Sequence, residues 1–349
     1  MYKVDPVKKE RTVVGEIQYD EADFGLCKIP GERYPDPAAR PRQLHSLQTT
    51  ENYVIIAENS YLHDPCEFVY GDDSIAHYPR AYSYEADVDG RLVVMHKTGN
   101  ETQIMNVPPM FITHVLGSYE QDDKIIFDVL QYKDASPYDY WSFTDVMANG
   151  SLHHPENFTQ VVRYTVDTKT WTVETSDLVT PGQSNMDFEF SNINPAYYTR
   201  PYKYAYMTKN VFSLHGGVVK LNVEDGSLIT KELPDGWFPT EPIFVASPGA
   251  TEEDDGVVMM SGVDGDQEKG FIIIFNATNM DVIYQGRAPK KTLIGLHSKF
   301  FPFSVGCSEE DCSLPSSTEE PGSSSAQLYL NFFILAASLL KLFIGGARV

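Results

Sequence analysis

Basic residues are scarce in this chain: 27 Lys and Arg stand against 49 Asp and Glu, which gives a formal net charge of -22. So acidic a surface repels a phosphate backbone and offers no patch for counterion release. We therefore expect no nucleic-acid partner. Local catalytic motifs are missing too, because the sequence has no Cys-x-x-Cys pair, no histidine pair at zincin spacing and no glycine-rich loop after a strand.

Cysteine is also rare, with 4 residues in 349, too few for a disulfide scaffold at this length. Cys307 and Cys312 lie close enough in sequence for a local bridge, with two free thiols as the alternative. Residues 1–5 lack the basic region, apolar core and cleavage site of a secretory signal.

Helical periodicity is absent before the last 25 or so residues, whereas turn formers and aromatics are abundant, with 24 Gly, 22 Pro, 21 Tyr and 19 Phe. Short runs with strand patterning recur, such as residues 53–57, 124–129 and 256–260. The composition predicts an all-β fold. The acidic run 252–255 lacks the alternating spacing of a calcium loop and is expected to be a solvated hairpin turn.

Three segments repeat one design of strand, acidic or amide turn, and strand. Their turns contain Asp167, Glu224 and Asn276, which lie about fifty residues apart. One such hairpin per fifty residues is typical of a β-propeller blade, so residues 1–305 would hold four or five blades. An open set of blades is expected to expose two apolar faces.

The end of the chain changes composition twice. Residues 306–326 are rich in Ser, Glu and Pro and read as a solvated linker, and residues 327–349 form a hydrophobic tail. The order of small residues, polar spacer and apolar tail matches a GPI-attachment signal. A tail-anchored helix and an amphipathic packing helix are the alternatives.

Four N-x-Ser/Thr sequons favour an extracellular, membrane-associated protein, with a cytoplasmic one as the alternative. The expected glycosylation sites are Asn100, Asn149, Asn157 and Asn276.

Three of the 9 histidines share a context although they lie far apart: His45, His114 and His297 each follow an apolar residue or precede a strand-like run. The inner strands of a propeller converge on its axis, so one histidine from each of several blades can reach a single metal. We expect the others to be exposed, namely His63, His77, His96, His153, His154 and His215.

Five segments, in order, resemble motifs of the carotenoid cleavage oxygenase family. Residues 45–55 and 111–120 are similar to two motifs that begin near an iron histidine, and residues 187–194 resemble a motif with a supporting glutamate. Residues 238–258 match a longer signature, and residues 297–300 are similar to the last iron ligand. Together the motifs cover roughly residues 1–303.

This resemblance implies a seven-bladed β-propeller of the carotenoid oxygenase type, of which this chain holds the C-terminal four to five blades. It implies Fe²⁺ bound by His45, His114 and His297, with Glu189 and Glu241 accepting the distal N–H of ligating imidazoles. The implied reaction is cleavage of a carotenoid or apocarotenoid double bond by O2 to aldehydes. Retinoid isomerohydrolase activity and a non-catalytic carotenoid- or lipid-binding role are the alternatives.

The sequence departs from the family's pattern at several places. The first iron histidine and one further glutamate would lie upstream of Met1. Gly117 stands where the family has Asn, and Ser298 where it has Gly. Residues 70–79 replace an apolar stretch, so the substrate would be drawn from lipid by another surface or with the help of the C-terminal anchor.

Overall fold

The computed structural model of the chain describes residues 1–5, 7–19, 26–27, 34–66, 81–99, 101–140, 159–179, 186–211, 213, 215–292 and 295–300. Within these ranges the fold is almost entirely β, as the composition predicts. No helix in them is long and apolar enough to cross a membrane. Several predictions fall outside the described residues: Asn100, Asn149, Asn157, His77, His153, His154, Cys307, Cys312, the linker 306–326 and the tail 327–349.

The strands in chain order are β1 (Tyr2–Asp5), β2 (Glu10–Val13), β3 (Leu47–Thr49), β4 (Tyr53–Glu58), β5 (Tyr61–His63), β6 (Tyr82–Tyr84), β7 (Gly90–His96), β8 (Thr102–Val107), β9 (Phe111–Gln121), β10 (Lys124–Tyr132), β11 (Gln160–Asp167), β12 (Thr172–Asp177), β13 (Phe188–Ile193), β14 (Tyr204–Lys209), β15 (Gly217–Asn222), β16 (Leu228–Glu232), β17 (Trp237–Pro239), β18 (Ile243–Ala246), β19 (Gly256–Asp264), β20 (Lys269–Asn276) and β21 (Val282–Lys291). One short helix, α1 (Ser136–Tyr140), follows β10.

Most strands form four antiparallel sheets that follow one another along the chain. Sheet I has the order β3-β4-β7-β8, sheet II β9-β10-β11-β12, and sheet III β13-β14-β15-β16. Sheet IV has the order β17-β19-β20-β21, with β18 also paired to β19. The first strands of sheets I, II and III are neighbours, since β3 contacts β9 and β9 contacts β13, and β13 contacts β18 of sheet IV.

Consecutive sheets pack face to face through separate apolar layers. Ile55 and Leu92 of sheet I meet Phe127 and Val166 of sheet II in one layer. A second layer joins sheets II and III, and a third joins sheets III and IV. An inner sheet therefore has both faces buried. Because alternate strand residues point to opposite faces, the strands of such a sheet are near-continuous apolar runs.

The two outermost faces are buried, contrary to the expectation that they would be exposed. On sheet I the apolar face around Val93 and Met95 is covered by Met1, Val14 and Ile17. On sheet IV the face around Ile272 and Ile274 packs with Val245 and Tyr284 of the same sheet and against Phe300, which follows the last strand. The ends of the described chain therefore fold back over the end sheets.

The predicted repeat is present as one turn that recurs between the third and fourth strands of sheets II, III and IV. In each turn the side chain of the first residue accepts the backbone N–H of the third residue. The backbone N–H of the fifth residue donates to the carbonyl oxygen of the first residue at 2.7–2.9 Å. The fifth residue has a positive φ in all three, at Trp171, Gly226 and Met280. The three turns are 167–171, 222–226 and 276–280.

Sheet I carries a related turn that the sequence did not reveal, because a histidine replaces the Asp or Asn. The Nδ1 atom of His96 accepts the backbone N–H groups of Thr98 at 3.3 Å and Gly99 at 3.0 Å. His96 is half-buried, so the expectation that it is exposed is wrong. His63 is half-buried too and packs on Tyr82, whereas His215 is exposed as expected.

The acidic run lies in a hairpin turn between β18 and β19, as predicted, but the turn is only partly solvated. The carboxylate of Glu253 accepts the backbone N–H groups of Lys203 and Tyr204 at 2.7–2.9 Å, and Asp254 forms an ion pair with the buried Lys220. These contacts attach the β18–β19 hairpin of sheet IV to sheet III. They remove the carboxylates of Glu253 and Asp254 partly from solvent.

Cys27 and Cys66 form a disulfide in the structure, and both residues are buried. The pairing escaped the sequence because the cysteines are 39 residues apart and no local pattern brings them together. The bridge lies next to Asp64, whose carboxylate accepts the backbone N–H groups of Tyr34 and Cys66.

Candidate metal site

The three histidines singled out from the sequence lie side by side in the structure. His45 precedes β3 of sheet I, His114 lies on β9 of sheet II, and His297 follows β21 of sheet IV. The ring centroids of His45 and His114 are 4.9 Å apart, and those of His114 and His297 are 5.3 Å apart. Imidazoles that share an ion through nitrogen at about 2 Å place their ring centres about 5 Å apart.

His114 is the most enclosed of the three rings. Its Nδ1 donates to Oε2 of Glu189, whose side chain is buried. Burial alone lowers the pKa of His114, but the negative charge and hydrogen bond of Glu189 raise that pKa above its ordinary value. Conversely, burial raises the pKa of Glu189, yet His114 and the other hydrogen bonds hold it below its usual range. The proton on Nδ1 is thereby fixed toward Glu189.

Glu189 is held by two further donors on its other oxygen. The hydroxyl groups of Thr113 and Tyr132 donate to Oε1 at 2.8 and 2.9 Å. A carboxylate with this many donors is fixed in position, and it fixes the orientation of the His114 ring in turn.

Glu189 is buried because β13 lies in an inner sheet with both faces covered, so that Phe188 and Glu189 are buried on opposite faces. A bulge follows, since the register of β13 on β14 shifts between Glu189 and Asn192, and Phe190 has φ 52°. The inserted residue breaks the two-residue alternation after Glu189, and Phe190 is buried as well. The ring of Phe190 then contacts both His114 and His297, with centroids 5.2 and 5.4 Å away.

His297 and His45 engage their Nδ1 atoms with different partners. Nδ1 of His297 lies 3.3 Å from Oε2 of Glu241, and the backbone N–H of Ser298 donates to the same oxygen at 3.2 Å. Nδ1 of His45 lies 3.1 Å from the hydroxyl of Tyr138. The His45 side chain is partly exposed to solvent. Its partial burial and the neighbouring His114 nevertheless lower its pKa to about 4.

The donor chemistry of this cluster fits ferrous iron. All three imidazoles have an engaged Nδ1, and Nε2 of His114 is buried without a hydrogen-bond partner, as expected for an atom reserved for a ligand. Still, in the described ranges no group of three or more His, Cys, Asp or Glu side chains is arranged so that it could already hold a metal ion. The roles of the three histidines and two glutamates therefore stay predictions.

The two departures at Gly117 and Ser298 have physical explanations. A Cβ atom on Gly117 would lie 2.5 Å from Cε1 of the buried Tyr202, so the ring of Tyr202 occupies the space that an asparagine side chain would need. Ser298 contributes only its backbone N–H to Glu241, and any residue except proline supplies that group.

Replacing Gly117 by alanine should destabilise the fold by about 1–3 kcal/mol, because the methyl group overpacks a site filled by Tyr202. The measurement is the free energy of unfolding in urea. Gly295→Ala is the matched control, since a Cβ at Gly295 meets nothing within 4 Å. Equal stability of the two variants would contradict the explanation for Gly117.

Sequence reasoning missed four residues of the site: Thr113, Tyr132, Tyr138 and Phe190. Thr113 and Phe190 are next to His114 and Glu189 in the sequence, so their position near the site could be predicted. Their contacts with Glu189, His114 and His297 could not. Tyr132 follows the second histidine motif and belongs to the same resemblance, but its hydroxyl was given no role. Tyr138 lies in an aromatic-rich stretch with no distinguishing spacing.

The chain resembles known proteins over most of its length. A family model described as "Retinal pigment epithelial membrane protein" matches residues 2–302. The chain is 26% identical to the carotenoid isomerooxygenase of Galleria mellonella, over 72% of this chain and 50% of that protein. It is also 26% identical to the beta,beta-carotene 15,15'-dioxygenase of Gallus gallus, over 79% of this chain and 56% of that protein.

The fold is similar to that of a solved structure, cobalt-substituted Synechocystis ACO, with a TM-score of 0.61 and 23% identity. The likeness covers 73% of this chain and 52% of that one. The chain thus spans about half the length of the curated relatives it matches.

Proposed function

The chain belongs to the retinal pigment epithelial membrane protein family, which includes the carotenoid oxygenases, and we propose that it is part of an Fe²⁺-dependent oxygenase. The proposed reaction cleaves a double bond of a carotenoid or apocarotenoid with O2 and yields aldehydes. The observation that carries this proposal is the cluster of three histidines from different parts of the fold, each with Nδ1 engaged.

In this proposal His45, His114 and His297 hold the iron through Nε2, and iron, when bound, activates O2. Glu189 and Glu241 keep the proton on Nδ1 of their histidines, so that the ligands bind as neutral imidazoles. A set of neutral ligands adds no negative charge to the metal and suits Fe²⁺.

Apolar surface beside the cluster supports a polyene substrate. Leu44 and Leu296 each precede a histidine of the cluster, and they are 47% and 43% exposed. Phe190 adds an aromatic ring between His114 and His297. A long apolar chain that lies along these side chains would remove their surface from water.

We also propose that the four sheets are blades of a seven-bladed β-propeller of the carotenoid oxygenase type. Two observations support this. Each sheet is an antiparallel array, and the first strand of each of sheets I to III lies beside the first strand of the next sheet or, for sheet III, beside β18 of sheet IV. The same turn also recurs at the outer hairpin of three of the sheets.

The reaction is tested by supplying the purified 349-residue chain with Fe²⁺, β-carotene or an apocarotenal, and ¹⁸O2. We expect aldehydes that contain ¹⁸O, identified by mass spectrometry directly after short incubations. With a retinyl ester supplied instead, an isomerised retinol and a free fatty acid formed without O2 consumption would point to isomerohydrolase chemistry. Stoichiometric iron with an unchanged polyene would overturn the oxygenase proposal in favour of a carotenoid- or lipid-binding role.

We propose further that the protein enters the secretory pathway and associates with a membrane through its C-terminal tail, by a GPI anchor or a tail helix. The buried Cys27–Cys66 disulfide supports an oxidising compartment. Release of the protein from cell membranes by a phosphatidylinositol-specific phospholipase would identify the GPI anchor, whereas resistance would favour the helix.

Asn276→Gln should remove one glycan when the protein is expressed in animal cells. Asn276 ends β20 in a hairpin turn, and its sequon partner Thr278 is exposed. The measurement is electrophoretic mobility before and after enzymatic deglycosylation. Asn279→Gln changes a neighbouring asparagine outside any sequon and serves as control. Equal mobility of both variants would exclude a glycan at Asn276.

A further inference from the structure

The hydroxyl of Thr159 lies behind the carboxylate that supports His114, and the sequence motifs gave it no role. Thr159 directly precedes β11 and is buried. Its Oγ1 accepts the backbone N–H of Phe188 at 3.2 Å, and its hydroxyl also forms a hydrogen bond with the phenol of Tyr132. The phenol donates to Oε1 of Glu189 at 2.9 Å. Thr159 is therefore connected to Glu189 through two different groups.

The donors and acceptors of this chain of hydrogen bonds fix the direction of each bond. An ionised carboxylate can only accept, so the phenol proton of Tyr132 points to Glu189. The phenol oxygen then accepts from Thr159, and Oγ1 of Thr159 accepts from Phe188, whose N–H can only donate. Every bond of the chain therefore runs toward Glu189, and bonds arranged in this way polarise and strengthen one another.

The chain forms a closed loop because Phe188 and Glu189 are adjacent residues. Thr159 holds the backbone at Phe188, and through Tyr132 it holds the carboxylate of the next residue. The register of β13 on β14 shifts just after Glu189, so the ladder is interrupted there. A strand without a regular ladder needs other contacts to fix its side chains, and the hydroxyl of Thr159 supplies two of them.

We propose that Thr159 is a positioning residue of the candidate metal site: its hydroxyl fixes the backbone and the carboxylate of Glu189, which in turn fixes the ring of His114. The inference rests on the proposed metal-binding function, in which His114 binds the metal through Nε2. A ligand that is held in place beforehand loses less freedom on binding. Loss of the Thr159 hydroxyl should therefore loosen the site without removing a ligand.

The orientation is tested first in the metal-free full chain, labelled with ¹⁵N-histidine and studied by NMR at mildly alkaline pH. His114→Gln assigns the signals of His114. In the wild type we expect a proton on Nδ1 that exchanges slowly with water, because it is bonded to the buried Glu189. Thr159→Val keeps the shape of the side chain but removes the hydroxyl. It should accelerate the exchange about tenfold, as expected for one lost hydrogen bond to a buried group.

Thr159→Ser is the conservative variant, since it keeps the hydroxyl and loses only a methyl group. The Nδ1 proton of His114 should exchange in this variant as it does in the wild type. Equal exchange rates in Thr159→Val and Thr159→Ser would overturn the role of Thr159, whatever the metal affinity.

The consequence for metal binding is measured with Co²⁺ by competition titration of the same proteins. Tyr132→Phe should weaken Co²⁺ binding about tenfold, as loss of a group behind a ligating histidine does. Thr159→Val should also weaken it and shift the visible spectrum of the bound ion, whereas Thr159→Ser should do neither. In the double variant of Thr159→Val and Tyr132→Phe, the combined loss should be smaller than the product of the single losses, because both residues act on Glu189.

Thr50→Val is the matched control for a general loss of packing. Thr50 is also buried, and its hydroxyl donates to a different carboxylate, that of Glu120. This variant should bind Co²⁺ as the wild type does. Equal losses of Co²⁺ affinity in Thr50→Val and Thr159→Val would overturn the role of Thr159. If the wild type binds no Co²⁺ but Thr159→Val still accelerates the exchange at His114, the role of Thr159 stands and the metal function falls.

Discussion

The His114→Ala variant should bind no metal, whereas the wild-type chain should bind about one iron or cobalt ion. His114 lies between the other two histidines, and its buried Nε2 has no protein partner. Without it His45 and His297 remain, and two imidazoles do not complete a site that keeps a transition metal against solvent. Metal content after desalting, determined by mass spectrometry, measures the effect.

Three further variants make this result specific to metal binding. His114→Gln keeps an N–H donor toward Glu189 and separates loss of a ligand from loss of folding. Glu241→Gln should weaken metal binding by about ten- to hundredfold without abolishing it. His215→Ala changes an exposed histidine paired with Asp235 and should bind as the wild type does. Stoichiometric metal in a folded His114→Ala protein would refute the site.

The largest loss of stability is expected from Asp128→Ala. The side chain of Asp128 is completely buried. Its carboxylate accepts hydrogen bonds from Nε and Nη2 of Arg163 at 2.8 Å each, and from the hydroxyl of Tyr202. Removing it leaves a half-buried guanidinium and a buried phenol unpaired between sheets II and III. Such a loss costs about 3–5 kcal/mol in the free energy of unfolding, measured by urea denaturation.

The matched control for Asp128 is Asp123→Ala. Asp123 forms its side-chain ion pair with Lys169 in solvent, with both side chains more than half exposed, and exposed pairs contribute little. Asp128→Asn should fall between the two, because the amide can still accept from Tyr202. If Asp128→Ala and Asp123→Ala unfold at the same urea concentration, the cluster does not stabilise the junction between the sheets.

Much of the fold could be predicted from the sequence because its signals are local. The runs 53–57, 124–129 and 256–260 all lie in strands, since apolar runs between turn residues suffice to specify them. The hairpins at Asp167 and Asn276 are present because Asp and Asn bond their own backbone two residues on. The proximity of the three histidines followed from the family resemblance and not from any local pattern.

The remaining features depend on contacts between distant residues. His96 replaces an Asx residue in the turn of sheet I, and an imidazole in that role has no sequence signature. Glu189 is buried because sheets cover both faces of β13, and the bulge at Phe190 interrupts the alternation that follows. The Cys27–Cys66 pairing and the Tyr138–His45 contact join segments 39 and 93 residues apart, and only the folded chain brings such partners together.

The layered packing of the sheets has a consequence for how the molecule melts. Each sheet contacts mainly its neighbours, so the stack approximates a one-dimensional array in which the end units can unfold independently. An ion held by His45 and His297 would join the first and last sheets directly. Since it binds only the assembled form, a concentration of 100 times its dissociation constant would add about 2.7 kcal/mol. Bound metal would thus turn stepwise melting from the ends into a single cooperative transition.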